Sequence, residues 1–314
     1  MSNEIYDYAI IGAGLTGLSL GWDLSKAFPN LKIRLLDKAK SCGGRIATRR
    51  INELKFDHGA QFIKNSIVSD KWIQIWNSAG VTKKFPDEII DAICGISGMT
   101  QLPKVLAQPL DIKYDCKLVS LSRFKERWVL QSDGLSDLLA KNVVMTCPLP
   151  QALEILNQSK LNFNLGLSQI GYARALVILI ESSERIQTEL AYQEKIGESI
   201  YSICSQTAKS NSDSASWTVV MTSQWSEANF DKTDDQIMNE ASALIKTERP
   251  NIQIQKLHLK KWKYSHPKQI WPKSFETPQP GLYLAGDAFG GPSLLGSLRS
   301  SSDLFNFFSL KAHH

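Results

Sequence analysis

YDYAIIGAGLTGLSLGWDLSKAF, residues 6–28, runs from an apolar strand through three glycines into a helix. Gly12, Gly14 and Gly17 have the spacing G-x-G-x-x-G. The first glycine of such a turn permits a tight reversal, the second lets the backbone approach a pyrophosphate, and the third lets helix and strand pack closely. Free N–H groups and the dipole at the helix start favour an anion. The spacing alone is weak, but a second strand, KIRLLD at 32–37, ends in Asp37, twenty residues past Gly17. A carboxylate there is expected to hold the ribose hydroxyls of an adenosine and to disfavour a 2′-phosphate. The stretch therefore predicts a Rossmann-type α/β unit that binds a dinucleotide.

Working outward, SCGGRIATRR at 41–50 places Gly43 and Gly44 beside Arg45. Adjacent glycines admit a close backbone approach, and a guanidinium fork suits phosphate. A plain loop with a surface charge is the competing reading. Near the other end, GLYLAGDAFGGPSLLGSLRSSSDLF at 281–305 reads as a buried strand that breaks at Gly286 and Asp287. A helix follows from about Ser293, with Gly296, Ser297, Ser300 and Ser301 giving it a small-residue face. That face suits either a planar ligand ring or tight helix packing.

With FDHGAQFI at 56–63, this order of segments resembles the FAD-binding oxidoreductases of the flavin amine oxidase superfamily, in which the dinucleotide fold is followed by a GGR element. Within that group it is most similar to the renalase-like branch, through the pattern D-x-G-A-Q-[YF]-I. CGISGMTQLPKVLA at 94–107, VVMTCPLPQALEIL at 143–156, WTVVMTSQWSEANF at 217–230 and LKKWKYSHP at 259–267 agree in order, so the likeness runs nearly the full length. The resemblance implies non-covalent FAD contacted by Thr16, Gly44, Arg45, Gln61 and Phe62. It also implies that Asp287 binds the ribityl chain, with Gly286 and Gly296 leaving room.

Having the first and last segments in one site makes the FAD-binding domain discontinuous, over 1–70, 111–160 and 275–314. IKYDCKLVSL at 112–121 is read as a strand passing the adenine with Val119 beside it, and KNVVMTCP at 141–148 as another strand. The remainder, 71–110 and 161–274, is expected to form a mainly antiparallel substrate domain. Its strands are RALVILIE, SWTVVMTS and IQKLHLKKWKY, and DDQIMNEASALIKTE at 234–248 is its amphipathic helix. SQTAKSNSDSAS at 205–216 reads as an exposed hairpin loop.

Composition, with 43% hydrophobic and 21% charged residues, is that of an ordinary globular protein. No run approaches a membrane span and the start carries no signal-peptide pattern, so a soluble, cytoplasmic protein is expected. The five cysteines show no C-x-x-C pair, which predicts free thiols and no metal site. The basic stretch KLHLKKWKYSHPK at 256–268 is read as a strand with a solvated cationic face, and no nucleic-acid partner is expected.

One dinucleotide signature leaves no place for a fixed second nicotinamide cofactor. Electrons are then expected to enter the flavin from a bound substrate and leave to dioxygen. The renalase-like resemblance implies the substrate: 2- and 6-dihydro isomers of NAD(P)H, oxidised to NAD(P)+ with release of hydrogen peroxide. Oxidation of a small amine, with a lysine among Lys260, Lys261 and Lys263 holding water, is the main alternative; a flavin-binding sensor or assembly protein without turnover is another. Candidate substrate residues are Phe62, Arg174, Trp262 and Tyr264. Core packing competes for Trp262 and Tyr264, and an internal salt bridge for Arg174.

Overall fold

The structure, a computed structural model, describes residues 4–86, 90–133, 136–184, 191–210 and 215–312. The chain forms two compact units. One contains Met1–Gly44, Pro103–Gly171 and His266–His314; the other contains Arg45–Leu102 and Tyr172–Ser265.

In the first unit the strand Ile5–Ile11 lies between the parallel strands Ile33–Leu36 and Leu138–Met145. Ile112–Lys113 extends the sheet on one side and Leu282–Ala285 on the other, both parallel to their neighbours. Ala9, Ile10 and Ile11 are buried in succession, as a parallel strand covered on both faces requires. Phe275–Gln279 adds an antiparallel edge, and the hairpin Leu118–Phe124/Arg127–Ser132 pairs antiparallel with Leu138–Met145. The helix Leu15–Ala27 packs on the last helix, Leu294–Ala312. Ser19 Oγ donates to Ser301 Oγ at 2.8 Å and Thr16 Oγ1 to the Ser297 carbonyl at 3.3 Å.

The stretch 112–121 is two strands rather than one. Asp115 takes a left-handed φ of 50° between Ile112–Lys113, which joins the parallel sheet, and Leu118–Phe124, which belongs to the hairpin. Val119 therefore lies on the hairpin, 37% exposed.

The second unit is built on a five-stranded sheet in the order Tyr192–Glu194, Ile200–Ser205, Ser216–Met221, Tyr172–Ser182, Ile254–Pro267. Side chains alternate along Tyr172–Ser182. Leu176, Ile178 and Ile180 face the helix Asp234–Glu248 through Ile237, Ala241 and Ile245. Val177 and Leu179 face the hairpin Thr48–Ile51/Leu54–Asp57 through Leu54 and Phe56. The helix has the predicted bounds, fixed by a capping box between Thr233 and Gln236.

That hairpin explains why the first cut falls at Gly44/Arg45, where the sequence placed it near residue 70. Phe56 is fully buried against strand residues of the second unit, so 45–70 fold with that unit. The expected loop at 205–216 also differs. Gln206–Ser210 is a short helix whose Gln206, Thr207 and Lys209 are buried; residues 211–214 lie outside the described residues.

Candidate functional site

The glycine turn divides into two kinds of glycine. Gly12 has φ 111°, and a Cβ on Gly17 would stand 2.0 Å from the Gly12 carbonyl oxygen, so both serve the protein's own packing. Gly14 has an ordinary φ of −80°, and a Cβ added there would meet nothing within 4 Å. Neither backbone conformation nor packing requires a glycine at that position. The Gly14 backbone is left open on that side.

Gly43 and Gly44 close one side of this space. The Gly43 N–H donates to the Ala13 carbonyl at 2.8 Å, Gly43 bridges Gly14, and Gly44 is left-handed at φ 57°. Asp37 sits beside them: Oδ2 accepts the Ala13 N–H at 2.6 Å and Oδ1 the Ala39 N–H at 2.8 Å. Each carboxylate oxygen retains a further acceptor direction. Two glycine segments, a carboxylate and a helix start thus border one open cradle within the first unit.

At the other end of the chain, Leu282–Ala285 is fully buried and Gly286 turns at φ 140° into the short helix Asp287–Gly290. Asp287 is 5% exposed. A Cβ on Gly286 would still lie 3.8 Å from the nearest atom, the Thr146 carbonyl oxygen, so the site has room. The small face of the last helix is used differently from the seat for a planar ring read from the sequence. A Cβ on Gly296 would stand 2.1 Å from the Gly291 carbonyl oxygen. Ser300 Oγ accepts the Gly286 N–H at 2.9 Å and donates to the Ser274 carbonyl at 2.6 Å, while Ser301 bonds Ser19. Helix packing accounts for Gly296, Ser300 and Ser301, and the Thr16 hydroxyl is likewise spent on Ser297.

In the second unit, the segment Asp57–Ile63 is tied into a buried hub. Asp57 and Lys209 form an ion pair at 2.6 Å with each side chain 3% exposed. Asp57 Oδ1 accepts from Thr48 Oγ1 at 2.5 Å and from the Met99 N–H at 2.8 Å. Gln61 Nε2 donates to the Asp57 and Gly59 carbonyls, and its Oε1 accepts from Gln206 Nε2 and Lys209 Nζ. The amide of Gln61, expected to touch the flavin, thus has its donors and acceptors engaged within the hub. Burial is the largest effect and works against the Lys209 charge, but the Asp57 carboxylate, by charge and hydrogen bond, together with the neighbouring Cys204 and Cys94 holds the lysine above its ordinary pKa.

The other residues singled out from the sequence have partners within the second unit. Arg45 Nη1 donates to the Ser265 carbonyl at 2.9 Å. Arg174 is paired with Glu227 at 3.6 Å and Asp231 at 3.1 Å, with its guanidinium over Phe230; the internal salt bridge, not a substrate phosphate, accounts for it. Phe62 joins an aromatic trio with Phe85 at 4.9 Å and Tyr192 at 5.1 Å. Tyr264 meets Tyr172 edge-on at 6.0 Å. Trp262 stacks on His58 at 5.4 Å and donates from Nε1 to the His58 carbonyl at 2.8 Å. Alternation also separates the lysines: Lys261 pairs with Asp234, whereas Lys260 lies over Trp262. Sequence reasoning missed Asp57 and Lys209; the first stood unused inside a quoted motif, and the second in a serine-rich stretch with no periodic signal.

All five cysteines are free, and burial pushes Cys147 and Cys204 up to about 12. Among the described residues no helix is long and apolar enough to cross a membrane.

A Rossmann-type sheet with an open glycine cradle and a carboxylate at the end of the second strand defines a dinucleotide-binding oxidoreductase fold. Residues 10–79 match the NAD(P)-binding Rossmann-like domain, and residues 71–297 match the flavin-containing amine oxidoreductases. The chain belongs to the flavin-containing amine oxidoreductase family, whose cofactor is FAD. Solved structures share the whole fold at low identity. A candidate protoporphyrinogen oxidase from Exiguobacterium sp. 255-15 aligns over 99% of this chain and 100% of its own, with TM-score 0.79 and 14% identity. A putrescine oxidase bound to putrescine aligns over 98% and 99%, with TM-score 0.74 and 11% identity. A fatty acid isomerase from P. acnes that produces CLA aligns over 96% and 98%, with TM-score 0.72 and 12% identity.

Proposed function

We propose that this FAD-dependent oxidoreductase acts on dihydronicotinamide dinucleotides reduced at the wrong ring position, the 2- and 6-dihydro isomers of NAD(P)H, with dioxygen as electron acceptor. The observation that carries the reading is the segment Asp57–Ile63. The residues that resemble the renalase-like motif are those that the fold gathers into one buried hub, so the motif is an organised feature of this chain.

The chemistry balances without a protein base. The dihydropyridine loses a hydride and becomes an aromatic pyridinium; with one proton from solvent, dioxygen takes up the two electrons and leaves as hydrogen peroxide. FAD, when bound, supplies the two-electron acceptor between them. Gly14 and Gly44 would lie against its pyrophosphate, Asp37 would accept from the adenosine ribose, and Asp287 from the ribityl hydroxyls, with Gly286 leaving room for them. Phe62, Trp262 and Tyr264 would give the substrate aromatic surface.

Amine oxidation is the second reading, favoured by the shared fold of an enzyme solved with putrescine. Of the three lysines that could hold its water, Lys261 is committed to Asp234, while Lys260 lies over Trp262 and Lys263 over Tyr264. Anaerobic stopped-flow mixing of the yellow protein with 2-, 4- and 6-dihydronicotinamide dinucleotides and with putrescine decides between them. Bleaching of the flavin band by the 2- or 6-dihydro isomers, followed by peroxide formation on aeration, is expected. Bleaching by the amine alone would overturn the proposal.

A further inference from the structure

One face of the second unit carries cations that the reading so far does not use. Arg49 lies on the hairpin strand Thr48–Ile51, and Lys260 on the strand Ile254–Pro267, two residues before Trp262. Among the described residues neither forms an ion pair, in contrast to Lys261, Lys209 and Arg174. Arg49 stands opposite Phe56 in the hairpin, and the pairing continues through the His58 N–H to the Ala47 carbonyl, so Arg49 and His58 share a face. The His58 ring is stacked on Trp262 at 5.4 Å, and the Lys260 ammonium lies 4.8 Å from the centre of the indole.

His58 Nδ1 is buried with no hydrogen-bond partner among the described residues. Burial, then the Lys260 and Arg49 charges, push the imidazole down to about 4, with Asp57 opposing, so the ring is neutral. Two cations near a neutral ring with an unused nitrogen form a local positive potential with a polar atom left over. A bound anion would relieve the repulsion between the cations and leave the aromatic wall in place.

We propose that Arg49, Lys260 and His58 form a subsite for a phosphate or pyrophosphate group, and that in turnover this is the phosphate-bearing part of the dinucleotide substrate. The second half of this statement rests on the proposed function; the first does not. The subsite would make the enzyme prefer a dinucleotide over the same dihydronicotinamide ring carried on a bare riboside. It would accept the phosphate as a charge, through a guanidinium fork and an ammonium, without selecting the base at the far end.

Two measurements test it on the full-length holoprotein. The first titrates the five histidines by histidine-selective NMR, with and without inorganic pyrophosphate. A bound anion favours imidazolium, so the His58 pKa should rise on adding pyrophosphate and should not rise in the Arg49→Gln/Lys260→Gln double variant. The second measures flavin reduction by 6-dihydro-NAD(P)H and by 6-dihydronicotinamide riboside. In Arg49→Gln the ratio of dinucleotide to riboside affinity should fall about tenfold, the loss of one charge-assisted contact.

A pyrophosphate response at His58 without any flavin bleaching by dihydronicotinamides would uphold the anion subsite and sink the proposed substrate. Bleaching by both compounds with an unchanged affinity ratio would uphold the substrate and overturn its phosphate contact here. No pyrophosphate response at His58 would overturn the subsite itself.

Discussion

At the scale of single residues, the second and third glycines of the turn make opposite predictions. Gly14→Ala adds a methyl group where nothing lies within 4 Å, at a φ of −80° open to any residue. Apo-protein stability should change little, because the gain of about 0.4–1 kcal/mol from restricting the unfolded chain is offset by alanine being a poorer cap than glycine at the start of the helix Leu15–Ala27. FAD affinity should fall, since the methyl would occupy the cradle. Gly17→Ala forces a Cβ to within 2.0 Å of the Gly12 carbonyl oxygen and should lower apo stability itself. Urea unfolding of the two apo-variants beside FAD titration separates them; equal FAD affinity for Gly14→Ala and wild type would remove the cradle's claim to a cofactor. The turn was legible because its spacing preserves a backbone reason for Gly12, a packing reason for Gly17 and an open position at Gly14. Thr16 and Gln61 were read as ligand contacts, but a hydroxyl or an amide can satisfy a neighbour as readily as a cofactor. Only the fold reveals the partners, Ser297 for the one and Asp57, Gly59, Gln206 and Lys209 for the other.

Among elements, periodic ones were readable and those fixed by distant partners were not. The helix Asp234–Glu248 announces itself through its apolar face and its Thr233 cap. The helix Gln206–Ser210 has five residues and no apolar stripe; it exists because Lys209 and Gln206 find Asp57 and Gln61 some 145–152 residues earlier in the chain. Its stability should therefore depend on that pair. Asp57→Asn leaves the Lys209 ammonium buried without a counter-charge, at a cost on the order of 3–5 kcal/mol. Because Lys209 is held above its ordinary pKa, its stabilising share is present below that value and is lost only as pH rises through the raised one. In Asp57→Asn burial is no longer opposed by the carboxylate and should lower the Lys209 pKa, so the destabilisation should be largest near neutral pH and shrink as pH rises towards the ordinary lysine value of about 10.4. Restoration of most of the loss in the Asp57→Asn/Lys209→Met double variant is expected by the same logic. An Asp57→Asn loss below about 1 kcal/mol in urea unfolding would show that other contacts seat this helix.

For the whole molecule, the order of segments was legible and the line between units was less so. A dinucleotide turn at one end and a strand-to-helix break at the other imply a unit closed by both, and Ser19 does meet Ser301 across 282 residues of chain. The cut at Gly44/Arg45 follows from burial of Phe56 in the second unit, a long-range fact that local patterning does not carry. The first unit's candidate ligands are thus split between its opening segment, with Gly14 and Asp37, and its closing one, with Asp287. FAD that contacts both should stabilise the folded unit by linkage, about 2.7 kcal/mol at one hundred times Kd. If Asp287 accepts from the ribityl hydroxyls, Asp287→Ala should weaken FAD binding about tenfold or more, and at the same FAD concentration the increment should shrink to about 1.4 kcal/mol or less. Apo stability reports separately what Asp287 contributes to the folded unit. Gly286 caps the short helix without a side-chain bond, and a carboxylate in that first turn contributes roughly 0.3–1 kcal/mol through the helix dipole. Melting each protein with and without FAD reads both quantities at once. A large apo loss with an undiminished FAD increment would make Asp287 a structural carboxylate and leave the cofactor's ribityl contact to another residue.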